Sequence, residues 1–124
     1  MATIKSYTDI EQSRKLNKIL PLGSADMYYC YVMDIYTKKW DYDITPKFID
    51  ASNQIDICDI PCWSLAALLS VIKPVNDNTY TLRGTLDGGA MISFEEVTNV
   101  MFQEGEIIDA CYEMILKLHE LELL

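Results

Sequence analysis

Thirteen consecutive residues near the middle of the chain, Ile60-Pro61-Cys62-Trp63-Ser64-Leu65-Ala66-Ala67-Leu68-Leu69-Ser70-Val71-Ile72, carry no charge. A helix that is apolar nearly all round has to be enclosed on most sides. Pro61 suits a first helical turn, where a missing N–H costs nothing and φ is already fixed. Asp59 stands just ahead, placed to favour the positive end of a helix. Lys73-Pro74 closes the run, because the residue before a proline is pushed out of the α region. The pattern predicts a central core helix over residues 61–72, with Leu65, Leu68 and Leu69 buried.

The other segments arrange themselves around that helix. Residues 8–20 read as an amphipathic first helix, with Thr8 as N-cap, Glu11 at the capping-box position and Pro21 as the stop. Residues 27–36 are dense in Tyr, Val and Ile and read as a strand with large side chains on both faces. Trp40-Asp41-Tyr42-Asp43-Ile44 alternates and should pair back on it across Thr37-Lys38-Lys39. Pro46 argues against a central strand over 45–53, and Ile55 and Ile57 suggest a short strand over 54–58. Strands over 79–86 and 90–94 flank Asp87-Gly88-Gly89, whose glycines supply the positive φ of a hairpin turn; residues 97–102 add a third. The last helix runs over 106–121, with Ile107, Ile108, Cys111 and Leu118 at helical spacing. No repeat or linker divides the chain. The expectation is a single α+β domain, residues 1–124, with three helices packed on an antiparallel sheet built from two strand groups.

Half of the residues are hydrophobic and 23% are charged, enough for a packed core. The net charge of −9 works against nucleic acid and against anionic membrane surfaces, so neither is expected as a partner. No run approaches the roughly 18 apolar residues that span a bilayer. Residues 1–7 lack the apolar stretch of a signal peptide, so a cytoplasmic location is expected. There Cys30, Cys58, Cys62 and Cys111 stay reduced. A structural zinc site needs four soft ligands, of which Cys58 and Cys62 could supply only two, and the one histidine, His119, lies far away in sequence. Neither a metal nor a cofactor is expected.

Three passages carry a resemblance. The first is Ser6-Tyr7-Thr8-Asp9-Ile10-Glu11-Gln12-Ser13-Arg14-Lys15-Leu16, running through Ile19-Leu20-Pro21 to Ser24-Ala25-Asp26-Met27. The second is Ile60-Pro61-Cys62-Trp63-Ser64-Leu65-Ala66-Ala67-Leu68-Leu69. The third is Asp109-Ala110-Cys111-Tyr112-Glu113-Met114-Ile115-Leu116-Lys117-Leu118-His119-Glu120-Leu121. Together they resemble a family of small uncharacterised proteins of gut Bacteroidales, often found in phage, prophage or other mobile regions. The resemblance covers the helices and not the strand segments between them. It implies an origin and supplies no activity, cofactor or catalytic residue.

Read for chemistry, the residues offer little. His119 is the only histidine, the residue type best suited to acid–base work at neutral pH, but it sits in the last turns of a helix with no Ser or Cys beside it. Asp41 and Asp43 share one side of a strand, as any apolar-in, polar-out strand provides. Asp87-Gly88-Gly89 lacks the Lys-Ser/Thr of a phosphate loop, and Ser64 lacks a nucleophile elbow. No catalytic residue is assigned, and the chain is read as a non-enzyme. An acidic run from Asp87 to Glu113 reads either as a docking face or as a solvated surface.

The tyrosine excess stands out. Tyr29, Tyr31, Trp40 and Tyr42, with Trp63, form the candidate interaction surface, with ordinary strand packing as the competing account. The expected function is a non-catalytic accessory protein of a mobile element that binds another protein. The alternative is a small-ligand-binding protein or small enzyme with a pocket beside the central helix, and Trp63, Cys62 and Asp59 near its mouth.

Overall fold

The uncharged central run divides between a strand and a helix. In the computed structural model, which describes residues 5–52, 54–72, 81–84, 90–93, 101–104 and 107–122, the elements follow in order. They are α1 (Ile10–Asn17), a 3-10 turn (Leu22–Ser24), β1 (Met27–Tyr29), β2 (Tyr31–Met33), β3 (Trp40–Tyr42) and β4 (Lys47–Phe48). Then come β5 (Ile60–Cys62), α2 (Leu65–Ile72), β6 (Thr81–Gly84), β7 (Ala90–Ser93), β8 (Met101–Glu104) and α3 (Ile107–Glu120). The α+β class and the antiparallel pairing are as expected, with the strands shared among three sheets: β4-β1-β5, β2-β3 and β6-β7-β8.

The helix expected from residue 61 begins at Leu65 instead. Pro61 sits in β5, opposite Tyr28 of β1. β5 is an edge strand of its sheet, where a residue without an N–H can be accommodated. Ser64 caps the helix: its Oγ accepts from the Ala67 N–H at 3.3 Å and its carbonyl from the Leu68 N–H at 3.0 Å. Asp26, just before β1, holds that cap from outside, accepting from the Ser64 N–H at 2.9 Å and from its hydroxyl at 2.5 Å. Leu68 is buried as expected, whereas Leu65 and Leu69 are half-buried; Ala67 and Ile72 complete the inward face. Lys73-Pro74 lies outside the described residues.

α1 likewise starts later than expected. Asp9 is its N-cap, in a capping box with Gln12: Asp9 Oδ1 accepts from the Gln12 N–H at 2.8 Å, and Gln12 Oε1 from the Asp9 N–H at 3.1 Å. Thr8, expected in that role, is fully buried and joins four segments. Its N–H donates to the Trp63 carbonyl at 3.0 Å, and its Oγ1 accepts from the Trp63 N–H at 3.1 Å. Its hydroxyl lies 2.8 Å from that of Ser13, and its carbonyl accepts from the Tyr29 hydroxyl at 2.8 Å and from the Cys62 thiol at 3.3 Å. These bonds seat α1 on β5. Among the described residues no buried side-chain N or O lacks a partner.

Two apolar groups fill the interior. The larger gathers Leu16, Trp63, Leu68, Ile72, Met114 and Leu118, with α3 packed on α2 and against β7 and β8. The smaller, Met27, Tyr29, Ile60 and Cys62, lies on the β1–β5 pair with Tyr7 and Ile10 against it. β7 is the middle strand of the second three-stranded sheet, with Leu82 opposite Ile92 and Ile92 opposite Phe102. The third strand of this group, expected over 97–102, is described at Met101–Glu104, while residues 97–100 and Asp87-Gly88-Gly89 lie outside the described residues. No strand forms over 54–58, where Ile57 and Cys58 occupy a turn closed by Asp59 N–H to the Asp56 carbonyl at 3.0 Å.

A half-buried ion pair ties the start of the chain to α3. Lys5 Nζ donates to Asp109 Oδ1 at 2.7 Å, and Gln12 Nε2 donates to the same oxygen at 2.8 Å. Burial alone would raise the Asp109 carboxyl, but the bonds from Lys5 and Gln12 more than offset it and hold it below its ordinary value of 3.8. Burial alone would lower the Lys5 ammonium; Asp109 and Asp9 hold it above 10.5. A depressed acid stabilises the fold above its unfolded value and loses that contribution as pH falls through the folded one. A raised base stabilises below its unfolded value and loses it as pH rises. Asp109→Asn should therefore lower the thermal midpoint at neutral pH. The gap to the parent should narrow below pH 3.8 and again above 10.5, which melting curves across the pH range would show.

The Thr8 junction gives a second expectation. Thr8→Val keeps the shape but orphans the Trp63 N–H, a loss of about 1–3 kcal/mol for an unsatisfied buried donor. Thr8→Ser keeps the hydroxyl and should cost roughly the 0.8 kcal/mol of one buried carbon. Urea denaturation of the two variants measures the difference.

Candidate functional site

The chain that enters the core as β1 leaves it at Cys30. β2 continues outward and pairs with β3 alone: Tyr31 faces Tyr42, Val32 faces Asp41 and Met33 faces Trp40. Asp43 N–H to the Cys30 carbonyl at 2.8 Å and Asp34 N–H to the Lys39 carbonyl at 2.9 Å bracket this ladder. Strand alternation then puts Tyr31, Met33, Trp40 and Tyr42 on one face. Tyr31 stacks on Trp40 at 5.5 Å between centroids and tilts against Tyr42 at 4.9 Å, as diagonal and directly opposite cross-strand neighbours do. At the tip, Asp34 Oδ1 accepts from the Tyr36 and Thr37 N–H groups at 2.8 and 3.3 Å. Lys38 closes the turn at φ 57, a left-handed conformation unusual for a side chain of this kind. Ile35 and Tyr36 project from this turn, and Tyr36 is 89% exposed.

The aromatic face does not stand alone. The Arg14 guanidinium of α1 lies over the Tyr42 ring at 5.4 Å, within cation–π range. The Tyr42 hydroxyl donates to the Cys58 carbonyl at 3.1 Å. Asp59, expected to precede a helix, pins the hairpin base: Oδ1 accepts from the Tyr31 N–H at 3.0 Å and Oδ2 from the Asp56 N–H at 2.8 Å. Between these parts runs an open cleft of about 460 Å³, with Arg14, Asn17 and Lys18 on one wall, Tyr31 and Tyr42 on the other and residues 57–60 closing it.

Of the expected surface residues, the structure brings together Tyr31, Trp40 and Tyr42. Tyr29 and Trp63 fall outside it. Tyr29 is 2% exposed because its hydroxyl reaches the Thr8 carbonyl and its ring meets Tyr7 edge-on at 6.5 Å. Trp63 is wholly buried beneath the 3-10 turn, its indole N–H donating to Ser24 Oγ at 3.0 Å. Arg14 and Lys18 also line the cleft, though in the sequence they stand only as cations on the polar side of an amphipathic helix. Their significance follows from where α1 docks, which helical spacing does not reveal.

A second hollow lies beside α2. It measures about 670 Å³ and is mainly apolar, bounded by residues 19–21 and 23–26 on one side and Ala66, Ala67, Ser70 and Val71 on the other. The residues expected at its mouth are elsewhere: Asp59 lines the hairpin cleft, and Cys62 and Trp63 are buried. Its polar groups are already engaged. Ser70 Oγ donates to the Ala66 carbonyl at 2.9 Å, Ser24 Oγ to that of Pro21 at 2.6 Å, and Asp26 holds Ser64.

The titratable groups show no catalytic arrangement among the described residues. His119 lies exposed near the end of α3, and Ser64 is bonded to Asp26 and Ala67 as a helix cap. No three of the described His, Cys, Asp and Glu side chains converge on a metal-sized site. Burial raises the Cys62 thiol despite hydrogen bonds that pull it down, and burial pushes the Cys111 thiol up to about 12. Of the acidic run, Asp109 is bound to Lys5 and Gln12, while Asp87, Glu95, Glu96 and Glu106 lie outside the described residues. No described helix is long and apolar enough to cross a membrane. No family model, curated protein or solved structure matches this chain.

The thiols give a direct check. Cys58 is exposed and Cys30 half-buried, whereas Cys62 and Cys111 are buried. Under native conditions a maleimide should label Cys58 first and Cys30 more slowly. Cys62 and Cys111 should react only once denaturant opens the core, as peptide mapping by mass spectrometry would record.

Proposed function

We propose that this chain is a non-catalytic accessory protein that works by binding another protein, with the β2–β3 hairpin as the contact. One observation carries the reading. Of the eleven exposed large hydrophobic side chains among the described residues, nine lie between residues 31 and 57: those of β2, the hairpin tip, Trp40, Ile44, Phe48 and Ile57. Scattered apolar exposure is ordinary, but concentration on one small segment marks an interaction site. Tyr and Trp are also the side chains that most often anchor protein contacts. A protein suits this face better than an extended polyanion such as nucleic acid, which would also meet the net charge of −9 carried by the chain as a whole. The resemblance of the helical segments to proteins of mobile regions supports a role beside phage or prophage functions in the cytoplasm.

The apolar hollow beside α2 supports the second reading, a site for a small ligand. A ligand there would rely on shape and apolar contact, since Ser24, Asp26 and Ser70 already have partners.

A photo-reactive amino acid at position 36 or 40, introduced in cells, should cross-link one discrete protein. The purified pair should then lose at least about 30-fold in affinity on Trp40→Ala, the scale of an anchor worth about 2 kcal/mol. Leu22→Ala, which removes a side chain 53% exposed on a different element, should leave affinity unchanged. Equal losses in both variants, or none in either, would remove the hairpin reading. Saturable binding of a metabolite that is abolished by Ala67→Trp would favour the hollow instead.

A further inference from the structure

The hairpin cleft differs in charge from the chain as a whole. The first 48 residues hold seven basic against six acidic side chains, and the remainder three basic against thirteen acidic. The negative charge therefore belongs mainly to the second part. Arg14 and Lys18 lie four positions apart on the α1 side and line the cleft with Asn17 between them. Neither makes an ion pair among the described residues, and the guanidinium rests on the Tyr42 ring. Among the described residues the one carboxylate lining the cleft, that of Asp59, has each oxygen accepting a backbone N–H. Opposite stand the rings of Tyr31 and Tyr42, and Ile57, 95% exposed, lies along the rim.

A planar guanidinium held over an aromatic ring is well placed to meet a carboxylate, and a second cation one turn away can take another. The walls beside them offer apolar contact. From this we infer that the cleft between α1 and the hairpin seats an acidic peptide segment of the partner, with carboxylates on Arg14 and Lys18 and apolar side chains on Tyr31, Tyr42 and Ile57. The inference rests on the hairpin reading and adds the chemistry of what is bound. Single-stranded nucleic acid would also stack on tyrosines, but it carries one charge per nucleotide and would meet the strongly acidic remainder of the chain. Two cations favour a short peptide.

The test uses the full chain, isotopically labelled, and a synthetic peptide alternating leucine and glutamate. Its controls are the same peptide with glutamine, free acetate, and a short uridine oligonucleotide. The glutamate peptide should shift the resonances of residues 14–18, 31, 42 and 57–60 and bind at least tenfold more tightly than the glutamine peptide. The double variant Arg14→Gln, Lys18→Gln should lose at least tenfold while staying folded, both side chains being exposed and only the Arg14 contact with the Tyr42 ring being given up. Raising ionic strength from about 0.1 M to about 1 M should weaken the glutamate peptide and not the glutamine one. Equal binding of both peptides overturns the inference, as does no binding by either, acetate matching the peptide, or a tighter hold on the oligonucleotide. The hairpin reading is judged separately by Trp40→Ala on the cross-linked partner. Loss there with full binding by the Arg14, Lys18 double variant would leave the contact standing and remove its acidic specificity.

Discussion

Thr8 meets Trp63 twice, N–H to carbonyl and Oγ1 to N–H, and these two bonds fix where α1 lies on β5. Beside them Tyr7 and Ser64 form an isolated antiparallel bridge, although neither belongs to a strand. Because Thr8 and Trp63 are buried, each unmade bond between them would carry a full desolvation penalty, so the junction tolerates one arrangement. Ser13, Tyr29 and Cys62 then take the remaining donors and acceptors of the same threonine. The smaller apolar group closes over this polar knot, and the larger one builds outward from Trp63.

The hairpin follows a different logic. Among the described residues no second layer covers its tip, and its cohesion comes from three rings, one guanidinium and backbone bonds at its base and turn. Such a unit opens more readily than the helices, which bury their apolar side chains against one another. Its orientation is nonetheless well defined. Asp59 holds the Tyr31 N–H and Tyr42 reaches the Cys58 carbonyl, so the base of the hairpin is fastened to the loop before β5 at two points. Exposed apolar rings on a fixed frame lose less ordering entropy in any association than the same rings on a mobile loop would.

The sequence disclosed the periodic parts well and the junctions poorly. Helical spacing in α3 and the hairpin alternation of Tyr31 to Met33 with Trp40 to Tyr42 were legible because one face of each repeats. The central run misled because apolar character without alternation does not separate a buried strand from a helix. Pro61 suits an edge strand as well as a first turn, and Ser64 decided the boundary through Asp26, thirty-eight positions away. Thr8 was misread for the same reason: a threonine followed by Glu11 looks like a cap until Asp9 and Gln12 form a better one. Tyr29 and Tyr31 are adjacent on one nominal strand face, and only the break at Cys30 sends one inward and the other outward. No local pattern announces such a break.

That break has a mechanical consequence. β1 and β2 are successive stretches of one extended chain, separated by Cys30 alone, and β1 is gripped on both edges by β4 and β5. A partner pulling on the hairpin along its axis would load those ladder bonds in shear, side by side, because sheet hydrogen bonds run across the strand direction. A pull sideways would instead unzip the fastenings at Asp59 and Cys58 one after the other. Tension along β1 would thus meet bonds loaded together, and tension across it bonds loaded in turn. An attached partner would feel a firm tether or a yielding one according to the angle from which it draws.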